Sequence, residues 1–368
     1  MSGGASARQR FRQTALFEGG ALPHFEAGGF WDETIERWRG EGLPAAEDPR
    51  RYFGIDAYMD NAPPGLAYHT DRVITPPYWP AFAPRVLEET DESVIELRDD
   101  GIVARRRLRG TSVPQFISYP VQSPADWDAV KARLDPHTPE RYSGLDAVAA
   151  GLGGRDFILR FGLCGAYGTL RNLFGPENLC YALYDSPELI RRILRHWVEF
   201  SCGIADRLCP AVDFDYVFLW EDMAFKTGPL VSPAHFSEFI LPCYRELIGH
   251  LRSRHGFDLF MVDSDGNDWE LLPLFIDAGV NIFTPLEIAA GMEPLEIRKR
   301  HPGLALLGGI DKRALFGGRE AIRREIGWKV PPLLAQGGFF PSLDHHVPAD
   351  VSFENFCIYL EELRAVQG

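Results

Sequence analysis

From about residue 155 onward the sequence alternates short, almost wholly apolar runs with longer amphipathic stretches, and that rhythm limits the folds open to the chain. The runs are FILRFGL (157–163), YVFLW (216–220), LFMV (259–262), NIFTPL (281–286), LALLGGI (304–310) and GGFF (337–340). A strand that is apolar on both faces must be covered on both, and repeated strand–helix units supply that cover for a parallel sheet. The segments between the runs carry helix-start chemistry. Ser186-Pro187-Glu188 offers an N-cap, a proline for the first turn and a carboxylate for the positive end of the dipole. Ser232-Pro233 repeats the pattern with Gly256 as its stop, and Ser352 with Glu354 opens the last helix.

Two closures satisfy this pattern, an eight-stranded barrel or an open doubly wound sheet. No GxGxxG follows the first strand of the series and no GxxxxGK occurs. The expectation is an α/β fold, a TIM (β/α)8 barrel over residues 111–368, with residues 1–110 as an N-terminal extension packed on it. Six units are visible, so two further strands must come from the first 150 residues, with VPQFISYPV (113–121) as the candidate. Inside the extension, SVIEL and IVARRRL flank an Asp99–Gly101 turn and predict a β-hairpin with a type I′ turn.

Charge excludes some classes of function. A formal net charge of −14 does not suit nonspecific nucleic-acid binding, which needs a basic footprint. The one basic cluster, Arg105 to Arg109, reads as a solvated hairpin face. No run is long enough to span a bilayer, and the basic N-terminal residues lack the apolar stretch of a secretory signal. The six cysteines are scattered without a CxxC pair and read as reduced, so the expected compartment is cytoplasmic.

In a barrel, catalytic groups collect at the C-terminal ends of the strands. Five successive strands run into polar residues there: Glu221-Asp222, Asp263-Ser264-Asp265-Gly266-Asn267, Glu287, Asp311-Lys312-Arg313 and Asp344-His345-His346. Loops are polar by default, but each of these follows an apolar run with at least one carboxylate, and the last adds two imidazoles. Asp263 and Asp265, two residues apart, suit a loop aimed at one ion, although no closing Glu completes a calcium loop. Asp265 reads either as a metal or acid–base group or as a helix N-cap ahead of Trp269, a role equally open to Asn267 or Asp268. Glu221, between Trp220 and Met223, stands where apolar neighbours raise a carboxyl pKa toward general acid–base use. Glu287 reads as a pocket or helix-start residue. Of His345 and His346, strand alternation directs one inward.

The sequence resembles the uroporphyrinogen decarboxylase superfamily, and more closely its decarboxylase-like branch beside the corrinoid-dependent methyltransferases. The matching stretches are FWDETIERWRGEGLP (30–44), EDMAFKTGPLVSP (221–233), SDGNDWELLPLFIDAGVNIFTPLE (264–287), LLGGIDKRAL (306–315) and GGFFPSLDHHVPADVSFENF (337–356). The resemblance implies a barrel with a deep cleft at the strand-end rim. The decarboxylases carry an N-terminal RQAGR element; here the nearest string is Arg8-Gln9-Arg10. Their active-site aspartate has no counterpart in ISYPVQS (117–123). The methyltransferases hold zinc with a His-x-Cys pair and a later Cys. This chain has Asp263-Ser264-Asp265 at the first place and His345 or His346 near the second.

An oxygen and nitrogen donor set of Glu221, Asp263, Asp265 and His345 suits zinc or another divalent ion. The first expected function is therefore methyl transfer between a small methylated compound, or tetrahydrofolate, and a corrinoid carried by a partner protein, since the chain has no DxHxxG-type cobalamin motif. Glu221, Asp265 and His345 are the expected catalytic groups. Arg160, Phe161, Trp220, Glu287, Asp311 and His346 are expected to bind substrate. The second is metal-free decarboxylation of a porphyrinogen or another carboxylated aromatic, with Asp265 or Glu221 as the acid. The third is a non-catalytic accessory subunit of a corrinoid system. A homodimer is a further expectation.

Overall fold

A computed structural model describes residues 5–26, 28–56, 78–108 and 114–367. The first strands in the chain, β1 (Arg85–Glu89), β2 (Ser93–Leu97), β3 (Val103–Arg107) and β4 (Gln115–Ser118), form an antiparallel sheet in sequence order. The β2–β3 hairpin has the expected pairing, Ser93 opposite Arg107 and Leu97 opposite Val103. Its turn differs from type I′. Gly101 alone takes a positive φ, +83°, while Asp99 and Asp100 do not, so the turn keeps ordinary backbone until glycine reverses it. Arg105, Arg106 and Arg107 are each exposed; Arg109 falls outside the described residues. The stretch 113–121 does contain a strand, β4, but it belongs to this antiparallel sheet and not to the barrel.

The six apolar runs become β5 (Arg160–Cys164), β6 (Tyr216–Trp220), β9 (Phe260–Asp263), β10 (Ile282–Thr284), β11 (Ala305–Ile310) and β12 (Phe339–Leu343). A two-residue pair, β7 (Ala224–Phe225) and β8 (Gly228–Pro229), makes a small hairpin after β6. The six are parallel and hydrogen-bonded in the order β12-β11-β10-β9-β6-β5. Alternation along them separates two cores. Val217, Leu219, Phe260, Val262, Phe283, Leu306 and Phe339 pack outward against helices. Tyr216, Met261, Ile282, Ala305, Leu307 and Phe340 pack inward in a separate cluster. A sheet with its own enclosed inner core, distinct from the helical shell, is the barrel of a TIM-type α/β fold.

The N-terminal helix Ala7–Ala15 belongs to that inner core through Ala7, Phe11 and Ala15. Phe11 meets Tyr216 at 4.9 Å and Phe340 at 5.2 Å between ring centroids. Arg8 reaches Asp215 at 2.7 Å and Arg12 reaches Asp258 at 2.6 Å, both acids standing just before a strand begins. The helix therefore plugs the N-terminal end of the barrel. The chain then climbs beside β12. Glu26 accepts hydrogen bonds from Leu343 N and Ser342 Oγ at 3.3 Å, and Phe30 bridges Val347 in parallel. This segment lies along the free edge of β12. Among the described residues no seventh or eighth parallel strand is paired into the sheet.

The predicted helix boundaries hold with one local difference. Pro187–Leu208 starts after Ser186, but the serine side chain makes no capping bond there. Ser232 does cap, accepting from His235 N, and Gly256 ends the Leu241–His255 helix in the left-handed conformation.

Candidate functional site

The C-terminal ends of β9, β10 and β12 bring their acidic and imidazole residues to one rim. β9 ends in Asp263 and the chain turns at Gly266, whose N–H donates to Glu287 Oε2 at 2.9 Å. Glu287 arrives from β10 through Pro285 and Leu286, the latter at φ 65°. β11 passes so close to this turn that a Cβ on Gly308 would stand 1.9 Å from Pro285 O; only glycine fits. After β12, Asp344 turns back into protein, accepting from Ile288 N at 3.1 Å and Lys312 N at 3.2 Å. It is a buried brace between three strand ends. His345 and His346 then face a cavity of about 320 Å³.

Three side chains from three strand ends converge beside it, Asp265 and His345 in its lining and Glu287, expected to bind substrate, outside that lining. His345 Nε2 lies 3.2 Å from Asp265 Oδ2. Asp265, Glu287 and His345 each offer one donor atom, all within 4.8 Å of one another. Burial disfavours the charged form of His345, but the Asp265 hydrogen bond and negative charge prevail, so its pKa is raised. His346 differs. Burial, then the neighbouring His345, pushes its pKa down to about 4, while its ring stacks on Trp31 with centroids 4.6 Å apart. His346 Nδ1 is buried without a hydrogen-bond partner among the described residues. Asp263 shares the cavity, and burial followed by the charge of Asp265 pushes it up to about 7, against the pull of Arg160. Asp265 is not a helix cap; Asn267 Oδ1 accepts from Trp269 N instead.

Both histidines line the cavity, where alternation along a strand predicted one. The strand ends at Leu343, so its two-residue period no longer governs the loop beyond. Gly28 of the N-terminal segment presses against their shared peptide, and a Cβ there would meet His346 N at 2.3 Å.

Three sequence-predicted residues lie elsewhere. Glu221 is fully buried behind the rim, accepting from Gly168 N at 2.6 Å and from the Tyr244 hydroxyl. It thus sits at the start of the helix Ala166–Phe174, where unpaired N–H groups and the dipole favour a carboxylate, while burial pushes its pKa up to about 7. Asp222, next in sequence, lines the cavity in its place, at φ 48° and paired with Arg171. Phe161 points into the helical shell against Phe214, because its strand neighbour Arg160 takes the inward position. Asp311 caps the turn Lys312–Gly317 and pairs with Arg313 at 2.7 Å, outside the cavity lining. Arg160 and Trp220 do line it.

Sequence reasoning missed Tyr216 and Phe218, which the two-residue alternation with Trp220 would have found. It also missed Phe25, Glu26 and Gly28, for which no periodic signal exists. Burial holds the Glu26 carboxyl at about 7, tempered by the Tyr359 hydroxyl at 2.9 Å. A second, more apolar chamber of about 570 Å³, walled by Trp127, Trp197 and Phe200, meets the first at Arg160, Phe218 and Trp220.

The family model for uroporphyrinogen decarboxylase (URO-D) matches residues 107–366. Among solved structures, a methyltransferase from Methanosarcina mazei aligns over 99% of this chain and 98% of its own, with a TM-score of 0.58 and 15% sequence identity. At that identity the likeness speaks for the fold. No curated protein matches the sequence. With the family model spanning well over half its length, on a TIM-type barrel whose polar rim stands at the strand ends, the chain belongs to the uroporphyrinogen decarboxylase family and is an enzyme of that superfamily.

Proposed function

We propose that the protein is a metal-dependent methyl-transfer enzyme, moving a methyl group between a small methylated substrate, or tetrahydrofolate, and a corrinoid carried by a partner protein. One observation carries this reading: Asp265, Glu287 and His345 place three donor atoms within 4.8 Å of one another, Asp265 and His345 in the cavity lining and Glu287 behind it. Two carboxylates and one imidazole fit zinc or another divalent ion of the catalytic kind, three protein ligands with a position left open. Glu287 thus joins the candidate ligand set, and Glu221 leaves it because its carboxylate is turned into the core. An ion held there would supply Lewis acidity to the heteroatom that carries or receives the methyl group.

The chain's own residues supply the rest. Arg160 brings a cation to the cavity, its guanidinium 4.3 Å from the Phe218 ring. The His346 ring, stacked on Trp31, forms part of the cavity wall. Asp263, with a pKa of about 7, can hold a proton beside the reacting centre near neutrality and release it to a leaving group. The apolar chamber beyond Arg160 and Trp220 leaves room for an apolar substrate body.

The same Asp263 favours a second reading. A carboxylic acid kept protonated near neutrality next to Arg160 is what metal-free decarboxylation of a carboxylated aromatic requires, the acid protonating the ring and the arginine holding a carboxylate. Metal analysis separates the two. One equivalent of metal fewer in Asp265→Ala and in His345→Ala than in the native protein, together with metal-dependent formation or consumption of methylcobalamin, supports methyl transfer. Turnover of a carboxylated aromatic by metal-free protein, with no methylcobalamin turnover, moves the conclusion to the second reading.

A further inference from the structure

Two helix C-termini meet at the end of the barrel opposite the cavity. The Pro187–Leu208 helix finishes shortly before β6 begins, and Leu241–His255 shortly before β9. There His250 Nε2 stands 2.9 Å and His255 Nε2 2.8 Å from one oxygen, Asp206 Oδ1. The three donor atoms all lie within 4.8 Å, and the two rings are 5.6 Å apart. Packing holds the imidazoles, the His255 side chain being only 7% exposed, whereas Asp206 opens to solvent.

A third nitrogen, Arg254 Nε, approaches the same oxygen at 3.0 Å. One carboxylate oxygen has about two lone-pair sites, so three donors on it exceed its capacity. A cation resolves this crowding, because both imidazoles then turn lone pairs, not N–H groups, toward the same point as the carboxylate. The separations are near what an ion needs. Ligands on bonds of roughly 2.0 Å in a tetrahedron stand about 3.3 Å apart, a few tenths of an ångström wider than found here. The Arg254 side chain is 64% exposed and free to swing into water as the ion enters. The negative ends of both helix dipoles add to the attraction for a cation.

We infer that Asp206, His250 and His255 form a second metal site, for a divalent transition metal of the zinc, nickel or copper class, which joins the two helices at the N-terminal end of the barrel. Two imidazoles and one carboxylate select these ions over magnesium and calcium, which prefer all-oxygen shells. The site lies across the barrel from the cavity and is independent of the catalytic reading above.

The test uses full-length Asp265→Ala/His345→Ala protein, in which the cavity donors are removed, so that failure of the cavity reading leaves the result unaffected. Titration with Zn2+ by calorimetry is expected to show one saturable equivalent at micromolar concentration or tighter, with a rise in Tm that Mg2+ does not produce. Adding His250→Ala, or separately Asp206→Asn, is expected to weaken Zn2+ binding by more than the roughly 10–100-fold that loss of a supporting partner costs, and to abolish the Tm response. The metal-free Tm of each variant establishes that it is folded. Binding only at millimolar Zn2+ overturns the inference, as does micromolar binding that survives both variants.

Discussion

His345 and His346 share a peptide bond and a cavity, yet their environments drive them in opposite directions. Asp265 beside His345 outweighs burial and raises its pKa, whereas burial without such a partner lowers His346 to about 4. Replacing Asp265 by Asn leaves burial as the main influence on His345, so its pKa falls; ring-proton NMR titration of both histidines reads this directly, with His346 little changed. The same geometry ranks residues for turnover. Asp265→Ala and His345→Ala are expected to lose at least roughly 10–100-fold in kcat/KM, since removing even a supporting partner of a metal site costs that much. Asp311→Asn and Phe161→Leu, away from the cavity, are expected to stay close to native.

Among the elements, the first forty residues have two roles that their sequence does not advertise. The Ala7–Ala15 helix fills the N-terminal mouth of the barrel with Phe11, which is fully buried among Tyr216, Phe25 and Phe340. Phe11→Ala is expected to cost about 3–5 kcal/mol of unfolding free energy, as for other large-to-small changes in a packed core, measured by urea denaturation with an unchanged m-value. Further along, Gly28 abuts the His345–His346 peptide. Gly28→Ala must move one backbone or the other, so a loss of metal affinity with a near-native denaturation midpoint is expected. Equal metal binding in that variant would show that the contact yields without consequence for the site.

For the molecule as a whole, three buried carboxyls, Glu26, Glu221 and Asp263, are all pushed up to about 7, chiefly by burial. A carboxyl whose folded pKa exceeds its unfolded value binds more protons in the folded state, so stability falls as pH rises between the two values. His346 has the opposite effect, but only between about 4 and its ordinary value near 6.5. Above that window the carboxyls dominate, and stability is expected to decline from about pH 6.5 to 8. Glu221→Gln removes one of the three titrations. Its stability relative to the native protein is therefore expected to improve steadily across that range, whatever constant offset the substitution brings. Thermal unfolding over a pH series checks the slope; parallel curves would show that Glu221 does not titrate there.

The six apolar runs were legible as parallel strands because a strand buried on both faces has no other composition, and every one of them entered the same sheet. The rim was legible for a related reason: polar residues directly after such runs have only the strand ends to occupy. What the sequence by itself could not determine is which of those polar groups face one another. Glu221 and Asp222 are adjacent and chemically alike, yet one caps a helix and the other lines the cavity, a choice made by the unpaired N–H groups of Ala166–Phe174. Phe161 followed strand parity outward, while His346 escaped it because the strand had already ended. Glu26 and Gly28 reached the cavity from more than three hundred residues away in sequence, along the free edge of β12, through contacts that leave no period behind. Local pattern and burial determined the strands and their order of use. The convergence of Asp265, Glu287 and His345 was decided by the tertiary structure, because it depends on the packing of separate strand ends against one another.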